Sequence, residues 1–304
     1  MIDVAIMIEG QNGLNWAKWK RIARATEDLG FVGLYRSDHF TNMRPPDIDS
    51  LELWVSLAWL ADNTRRIQFG PLVTPMSFRN PVFTARMAKD VDDLSGGRLI
   101  LGLGAGWQKH EHSKFGFDLM DPGPRFDRFE EGVEVVWRLL REAQPVSLSG
   151  KYFKLEQAAL LPSPARAGGP PILIGGLGRN RTLPLTAQFA DEWNCGFRPP
   201  QVFARLNVRL DKLLEQRGRR AKEVRRSLVN TTIFGRDEPQ VRRKLAALGY
   251  TEDRVEEYGV IVGTGSQVAD QIGEYADVGV ERIMLQWLDL EDLDGLEALA
   301  KAVL

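Results

Sequence analysis

The sequence predicts an α/β protein, a (β/α)8 TIM barrel with an insertion around residues 141–170, on three grounds. Short apolar runs alternate with longer stretches of helical periodicity, the alternation repeats for eight cycles, and no linker interrupts it. An open doubly wound sheet is the other arrangement this pattern allows, but eight uninterrupted cycles favour closure. The 304 residues are then read as one domain, 1–304, since such barrels use about 250 residues or more as a single unit.

In chain order, Val4 to Ile8 reads as the first strand. Trp16 to Leu29 carries apolar residues on one helical stripe and ends at Gly30, which suits a left-handed helix cap. Phe31 to Tyr35 is the second strand, Leu51 to Ala61 a helix, and Ile67 to Val73 the third strand. Pro81 to Leu94 is a helix with proline in its first turn and Gly96-Gly97 beyond its end, followed by a strand from Arg98 to Leu103. Phe126 to Leu140 places Phe126, Phe129, Val133, Val136, Trp137 and Leu140 on one helical face. Residues 141–170 break the rhythm with hairpin-like fragments and Pro/Gly punctuation, an excursion inside the repeat. The cycle resumes with a strand at Pro171 to Ile174, a helix at Thr182 to Ala190 and a strand at Glu192 to Gly196. It continues with a helix at Pro200 to Arg217, a strand at Leu228 to Phe234 and helix from Pro239 to Glu257. Ser266 to Val278, Arg282 to Trp287 and Leu290 to Val303 close it as helix, strand and helix.

Composition narrows the function classes. A formal net charge of -1 offers no concentrated positive field, so neither nucleic acid nor an anionic membrane is expected as a partner. The densest basic stretch, Arg217 to Arg226, falls where a solvated helix-to-strand connection belongs. Cys195 is the sole cysteine, so no intrachain disulfide can form. The N-terminus has an acid at position 3 and no basic region, and reads as a strand rather than a signal peptide. No apolar stretch approaches the roughly 20 residues that span a bilayer. A cytoplasmic location follows as the expectation.

In a barrel the chemistry sits after the strands, which singles out five places. The second strand runs into Arg36-Ser37-Asp38-His39-Phe40; a histidine there can exchange protons near neutrality, although the residues alone equally allow a surface or capping histidine. Gly70-Pro71-Leu72-Val73-Thr74-Pro75 is an unusual load for a parallel strand and predicts a bulge or a plain strand exit. Gly102, Gly104 and Gly106 alternate ahead of Trp107 and permit close approach of a flat ligand or a backbone, yet they do not complete the dinucleotide-binding glycine pattern. His110-Glu111-His112 lacks metal-ligand spacing, so no metal is expected. Ile174-Gly175-Gly176-Leu177-Gly178 leads from a strand into a helix and is the best anion site, with amides able to converge on a phosphate.

In this order and spacing the stretches resemble the luciferase-like monooxygenase superfamily, particularly its coenzyme F420-dependent oxidoreductase branch. The resemblance is carried by Ser37-Asp38-His39-Phe40, Val73-Thr74-Pro75, Phe78-Arg79-Asn80-Pro81 and Leu94 to Arg98. It continues through Gly102 to Trp107, Glu111, Phe115-Gly116, Ile174-Gly175-Gly176, Ala190 to Asn194 and Gly263-Thr264. It implies a barrel, usually dimeric, holding a deazaflavin or flavin ring in its mouth. By position, His39 would be the catalytic acid or base, with Asp38, Thr74, Gly106 and Trp107 against the cofactor and His110 near it. A non-prolyl cis bulge would fall at Pro71-Leu72, and Gly175, Gly176, Leu177 and Gly178 would receive the phosphate. Trp107 stands where sugar-phosphate dehydrogenases of the family carry a catalytic glutamate, which implies a less charged substrate and leaves Glu9 and Glu111 as candidate supporting carboxylates.

The implied activity is hydride transfer between C5 of F420 and a small organic substrate, by a homodimer. The alternatives are an FMN-dependent monooxygenase using reduced flavin and O2, and a non-catalytic flavin-binding protein. Substrate choice would lie with the loops at 40–50, 107–124 and the excursion.

Overall fold

A computed structural model describes residues 2–43 and 45–304. Arg44, inside the loop expected to shape the substrate site, and Met1 lie outside the described residues. The chain divides into two compact units, residues up to 9 with 16–35 and 175–304, and residues 10–15 with 36–174.

In the first unit the strands from Asp3–Ile8 through Arg282–Gln286 and Arg225–Phe234 to Glu192–Gly196 pair in parallel. Asp3–Ile8 lies between Gly33–Arg36 and Arg282–Gln286, which is followed by Arg225–Phe234 and then Glu192–Gly196. Asp3 to Met7 register with Arg282 to Gln286, and Ser227 to Thr231 register with the same five residues from the other side. Strands buried on both faces are apolar along their length rather than alternating, as Ala5, Ile6, Leu228, Ile283 and Leu285 show. The helices Trp16–Asp28, Thr182–Phe189, Pro200–Gln216, Gly265–Asp277 and Leu293–Val303 separate these strands along the chain. Buried Arg282 donates to Glu192 Oε2 at 2.9 Å and to the Tyr35 hydroxyl at 2.8 Å, so its charge is paired rather than stranded.

The second unit holds the strands Gln68–Pro71, Thr74–Pro75 and Leu101–Gly104 and the greater part of Ile172–Gly175. Leu101 pairs in parallel with Ile172 and Thr74 with Leu103. Its helices are Leu53–Asn63, Pro81–Leu94, Lys109–Phe115 and Pro122–Arg141. Asn80 caps Pro81–Leu94, its side chain accepting from Val82 and Phe83, with proline at the first turn as expected. Arg98 closes the far end of Leu53–Asn63, donating to the carbonyls of Ala61 and Thr64 at 2.7 and 2.9 Å, where a cation meets the negative end of the helix. The excursion is a hairpin, Val146–Ser149 with Lys154–Ala158. It hangs from one carboxylate, since the amides of Lys151, Tyr152 and Phe153 all donate to Glu131 on Pro122–Arg141, at 3.0, 3.0 and 2.6 Å.

All eight strands read from the sequence are present, with ends shifted by up to three residues. Other elements differ, among them the short additional strand Thr74–Pro75 and a 3-10 turn at Ala221–Glu223. The stretch Pro239 to Glu257 is two helices, Glu238–Leu248 and Glu252–Tyr258, because Gly249 ends the first in a left-handed conformation. A three-residue strand, Ile261–Gly263, and the helix Lys109–Phe115 are additional, both too short to show a period. The non-prolyl cis bond lies at Leu72–Val73, one residue beyond the expected Pro71-Leu72. Among the described residues no helix is long and apolar enough to cross a membrane.

Candidate active site

The turn after Gly33–Arg36 is anchored by its own arginine. Fully buried Arg36 donates to Ser56 Oγ at 2.6 Å and to the Leu51 carbonyl at 2.7 Å, which ties the loop start to its end. Asp38, 5% exposed, receives two bonds from Arg79, Nε to Oδ2 at 3.0 Å and Nη2 to Oδ1 at 2.7 Å. Arg79 also donates to Glu52 at 2.6 Å, and Glu52 caps the helix Leu53–Asn63 through the Val55 amide. Burial raises the Asp38 carboxyl above its ordinary value, and the Arg79 guanidinium opposes that rise. The two-pronged geometry compensates the charge that burial penalises.

His39 is held by a different carboxylate. Its Nδ1 lies 2.9 Å from Glu111 Oε1, and the other Glu111 oxygen accepts from the Phe40 amide at 3.0 Å. A carboxylate accepts, so Nδ1 carries the proton and Nε2 of the neutral ring is the acceptor. Trp107, 56% exposed, meets the His39 ring edge to face with centroids 5.5 Å apart. The short helix bearing Glu111 is fixed at both ends. Gln108 exchanges two hydrogen bonds with Thr41, at 3.1 and 3.0 Å, and Gly116 caps the C-terminus in the left-handed region. Phe40 packs against Phe78, Phe115 and Phe117, an apolar wall behind the loop.

The Pro71–Thr74 segment is locked to the same turn by the Leu72 amide, which donates to the Arg36 carbonyl at 2.8 Å. Gly106 has a φ of +81°, and a Cβ there would sit 2.0 Å from Ser77 Oγ; only glycine permits that approach. Ser77 in turn bonds His112 Nε2 at 2.8 Å, and His112 Nδ1 lies 2.7 Å from the Gln108 carbonyl. Thr74 Oγ1 is fully buried with no hydrogen-bond partner among the described residues. A buried hydroxyl left so costs about 1–3 kcal/mol, which the polar edge of a flat ring would recover. That orphaned atom, in a unit that also holds a histidine paired with a carboxylate, is compatible with a bound flavin-type ring.

The glycine loop belongs to the first unit. The Gly176 amide donates to the Asn194 carbonyl at 3.0 Å and Trp193 Nε1 donates to the Gly176 carbonyl at 2.9 Å, so the loop leaves its strand in a set direction. Gly178 is exposed, and a Cβ on it would fall 2.6 Å from Thr182 Oγ1. Of the first turn of Thr182–Phe189, Leu183 already donates to the Gly178 carbonyl and Pro184 has no N–H. The available donors are therefore loop amides from Leu177 onward rather than the helix end.

Among the candidates in the second unit, His39 contacts Trp107, Asp38 is held by Arg79, Leu72 is tied to Arg36 and Gly106 lies against Ser77, while Pro71 and Thr74 lie on the strands Gln68–Pro71 and Thr74–Pro75. His110 joins none of these contacts. That side chain faces Asp47 at 3.7 Å, alongside the Asp47–Lys114 ion pair, because it lies on the opposite helix face from buried His112. Glu9, in the first unit, accepts from Gln286 at 2.6 Å, and Gln286 accepts from Thr231 at 2.6 Å. Sequence reasoning assigned no role to Arg79, Gln108 or Ser77, and considered His112 only as part of His110-Glu111-His112. Arg79 had a signal in the Phe78-to-Pro81 fragment, Gln108 only in its place after Trp107, and Ser77 had none.

Parallel strands alternating with helices, and a carboxylate-held histidine at a strand end, define an α/β-barrel enzyme. Residues 3–259 match the luciferase-like monooxygenase family, and the chain belongs to it. It is accordingly a member of an oxidoreductase family. Pyrimidine monooxygenase RutA of Agrobacterium fabrum (strain C58 / ATCC 33970) is 34% identical over 181 residues, 58% of this chain and 48% of the relative, so the chain spans about half the length of the curated relative it matches. An F420-dependent secondary alcohol dehydrogenase, solved with an F420-acetone adduct, superposes with a TM-score of 0.85 at 18% identity, covering 100% of this chain and 99% of that one. Monooxygenase RslO1 from Streptomyces bottropensis gives 0.84 at 19% identity, covering 99% and 98%. The fold is thus the parallel α/β barrel the sequence predicted, shared with an F420-dependent dehydrogenase and with a monooxygenase.

Proposed function

We propose that this protein is an F420-dependent oxidoreductase that transfers a hydride between C5 of the deazaflavin and a small organic substrate. The observation that carries the reading is the His39–Glu111 pair at 2.9 Å, with Glu111 also clamped by the Phe40 amide. Bound F420 supplies a carbon centre that exchanges hydride without oxygen. The protein supplies the rest. His39 exchanges the substrate proton at Nε2, and Glu111 stabilises the positive ring that results when Nε2 is protonated. Thr74 and the backbone around Gly106 would hold the ring edge, and Asp38, fixed by Arg79, would orient it. Trp107 would shed water from the reacting atoms and present an apolar surface to the substrate. Within the first unit, Leu177 and Gly178 offer loop amides suited to a phosphate, with Gly175 and Gly176 setting the loop.

The test is cofactor binding by the purified protein, followed by turnover. Saturable binding of F420, and loss of turnover in His39→Ala with F420 still bound, are the expected results. Retention of FMN with no binding of F420 would reverse the cofactor assignment. Unchanged turnover in His39→Ala would remove the histidine from the chemistry. An FMN-dependent monooxygenase is the second reading, favoured by the 34% identity to a pyrimidine monooxygenase. A homodimer in the cytoplasm belongs to the same proposal, checked by light scattering and fractionation.

A further inference from the structure

Two paired strands of the first unit, Arg225–Phe234 and Arg282–Gln286, turn their two faces to different tasks. Thr231 Oγ1 donates to Gln286 Oε1 at 2.6 Å and Gln286 donates to Glu9 at 2.6 Å, so these side chains share one face. Asn230, one residue earlier, donates to the Tyr275 hydroxyl on the helix Gly265–Asp277 at 2.6 Å, which marks the other face as the one toward the helices. Side chains alternate along a strand, so Thr232 and Phe234 belong to that helix-side face. There they line a cavity of about 310 Å³ to which Trp287 and, from the helix Glu238–Leu248, Lys244, Ala247 and Leu248 also contribute. Phe234 and Trp287 are both buried, with ring centroids 6.5 Å apart. Trp287 Nε1 is buried with no hydrogen-bond partner among the described residues. Lys244 is already paired: its Nζ lies 2.7 Å from Asp292 and 5.4 Å from the centre of the Trp287 ring. Its helix buries Val241 alone of eleven residues, and Leu248 is 45% exposed.

We propose that this cavity is a binding site for a small uncharged molecule, apolar over most of its surface and carrying one carbonyl-type oxygen. Its volume lies at the lower end of the range of ligand pockets and suits a substituted ring. The two aromatic side chains and Leu248 supply apolar contact. A carbonyl oxygen would accept from Trp287 Nε1 and restore the hydrogen bond that burial denies the indole. Charge on the ligand gains nothing. Asp292 neutralises Lys244, Asp289 on the same cavity would repel an anion, and Lys244 would repel a cation. Reaching the indole N–H takes an outward shift of Glu238–Leu248, which a helix with one buried residue concedes at little cost. Occupancy would then cover Ala247 and Leu248 and tighten the helix. The cavity lies on the opposite strand face from Thr231, Gln286 and Glu9, and its chemistry is the same whichever cofactor the chain holds.

The experiment is calorimetric titration of the whole protein with two probes of one shape, acetophenone and α-methylstyrene, in which C=CH2 replaces C=O. Amide hydrogen exchange locates the binding. Wild type should bind acetophenone about 3–10-fold more tightly than α-methylstyrene, the worth of one hydrogen bond to a buried donor, and exchange should slow across residues 238–248. Trp287→Phe keeps an aromatic ring and removes the N–H. It should abolish the preference and leave α-methylstyrene binding unchanged. Ala247→Phe, which puts a ring into the cavity from an exposed helix position, should weaken both probes alike. The site is overturned if wild type binds neither probe up to its solubility limit, or binds the two equally. A preference that survives in Trp287→Phe, or protection that arises only outside residues 238–248, overturns it as well. Thermal melts of both variants matching wild type exclude misfolding as the cause.

Discussion

The surroundings of His39 and the face beyond Gly178 are both rich in charge, and they are built in opposite ways. Around His39 the charged groups and rings are paired internally: Asp38 with Arg79, Arg79 with Glu52, His39 with Glu111, His112 with Ser77. Beyond Gly178 the cations Arg179, Arg205, Arg209 and Lys212 line a groove without ion-pair partners among the described residues, Arg209 donating to the Arg179 carbonyl. The first is a preorganised device whose geometry exists before any ligand arrives; the second is a row of like charges along one helix face. Orienting a reacting atom requires the rigidity of the first.

Substitutions can break or sharpen this contrast. The largest effect is expected at His39. His39→Ala should lower turnover by about 10²–10⁴-fold, the usual contribution of a positioned acid or base, with cofactor affinity much less affected; steady-state kinetics beside a binding titration separates the two. Arg79→Ala comes next, because it leaves Asp38 buried and unpaired. A loss of about 3–5 kcal/mol should appear as a lower urea midpoint, while Asp38→Asn/Arg79→Met should recover much of it. Gly106→Ala should cost about 1–3 kcal/mol, since it forces a side chain into the left-handed region and against Ser77. Crystals of that variant should show the Ser77–His112 contact lengthened. On the groove face the stability effect should nearly vanish: Arg209→Gln should stay within about 0.5 kcal/mol of wild type in the same urea titration. A large loss there would mean that the face is structural and would dissolve the contrast.

The fold was largely legible because each strand is a buried parallel run bounded by glycine or proline, a pattern that survives in one dimension. Asp38-His39 was legible for a related reason, since a strand end announces itself. The partners were legible only in part. Glu111 was already a candidate supporting carboxylate beside Glu9, but it lies 72 residues from His39 and Arg79 lies 41 from Asp38, and spacing alone does not say which groups meet across a fold. His110 and His112 could not be told apart as outward and inward until the seven-residue helix between Gln108 and Gly116 gave them faces. The cis bond fell one residue from its expected place because nothing in Gly70-Pro71-Leu72-Val73 marks which peptide turns. Gly249 was a readable stop signal for its helix, and Pro239 to Glu257 ran through it because helical periodicity outweighed one glycine.

The single carboxylate of Glu131, gathering three successive amides of the hairpin turn, makes residues 146–158 a cassette. Anything grafted in its place needs to present three adjacent N–H groups to that one acceptor, and the helix beneath, the His39 network and the glycine loop need not be redesigned. For engineering new substrate scope into this scaffold, the hairpin is therefore a natural place to diversify, with Glu131 left untouched as the docking point.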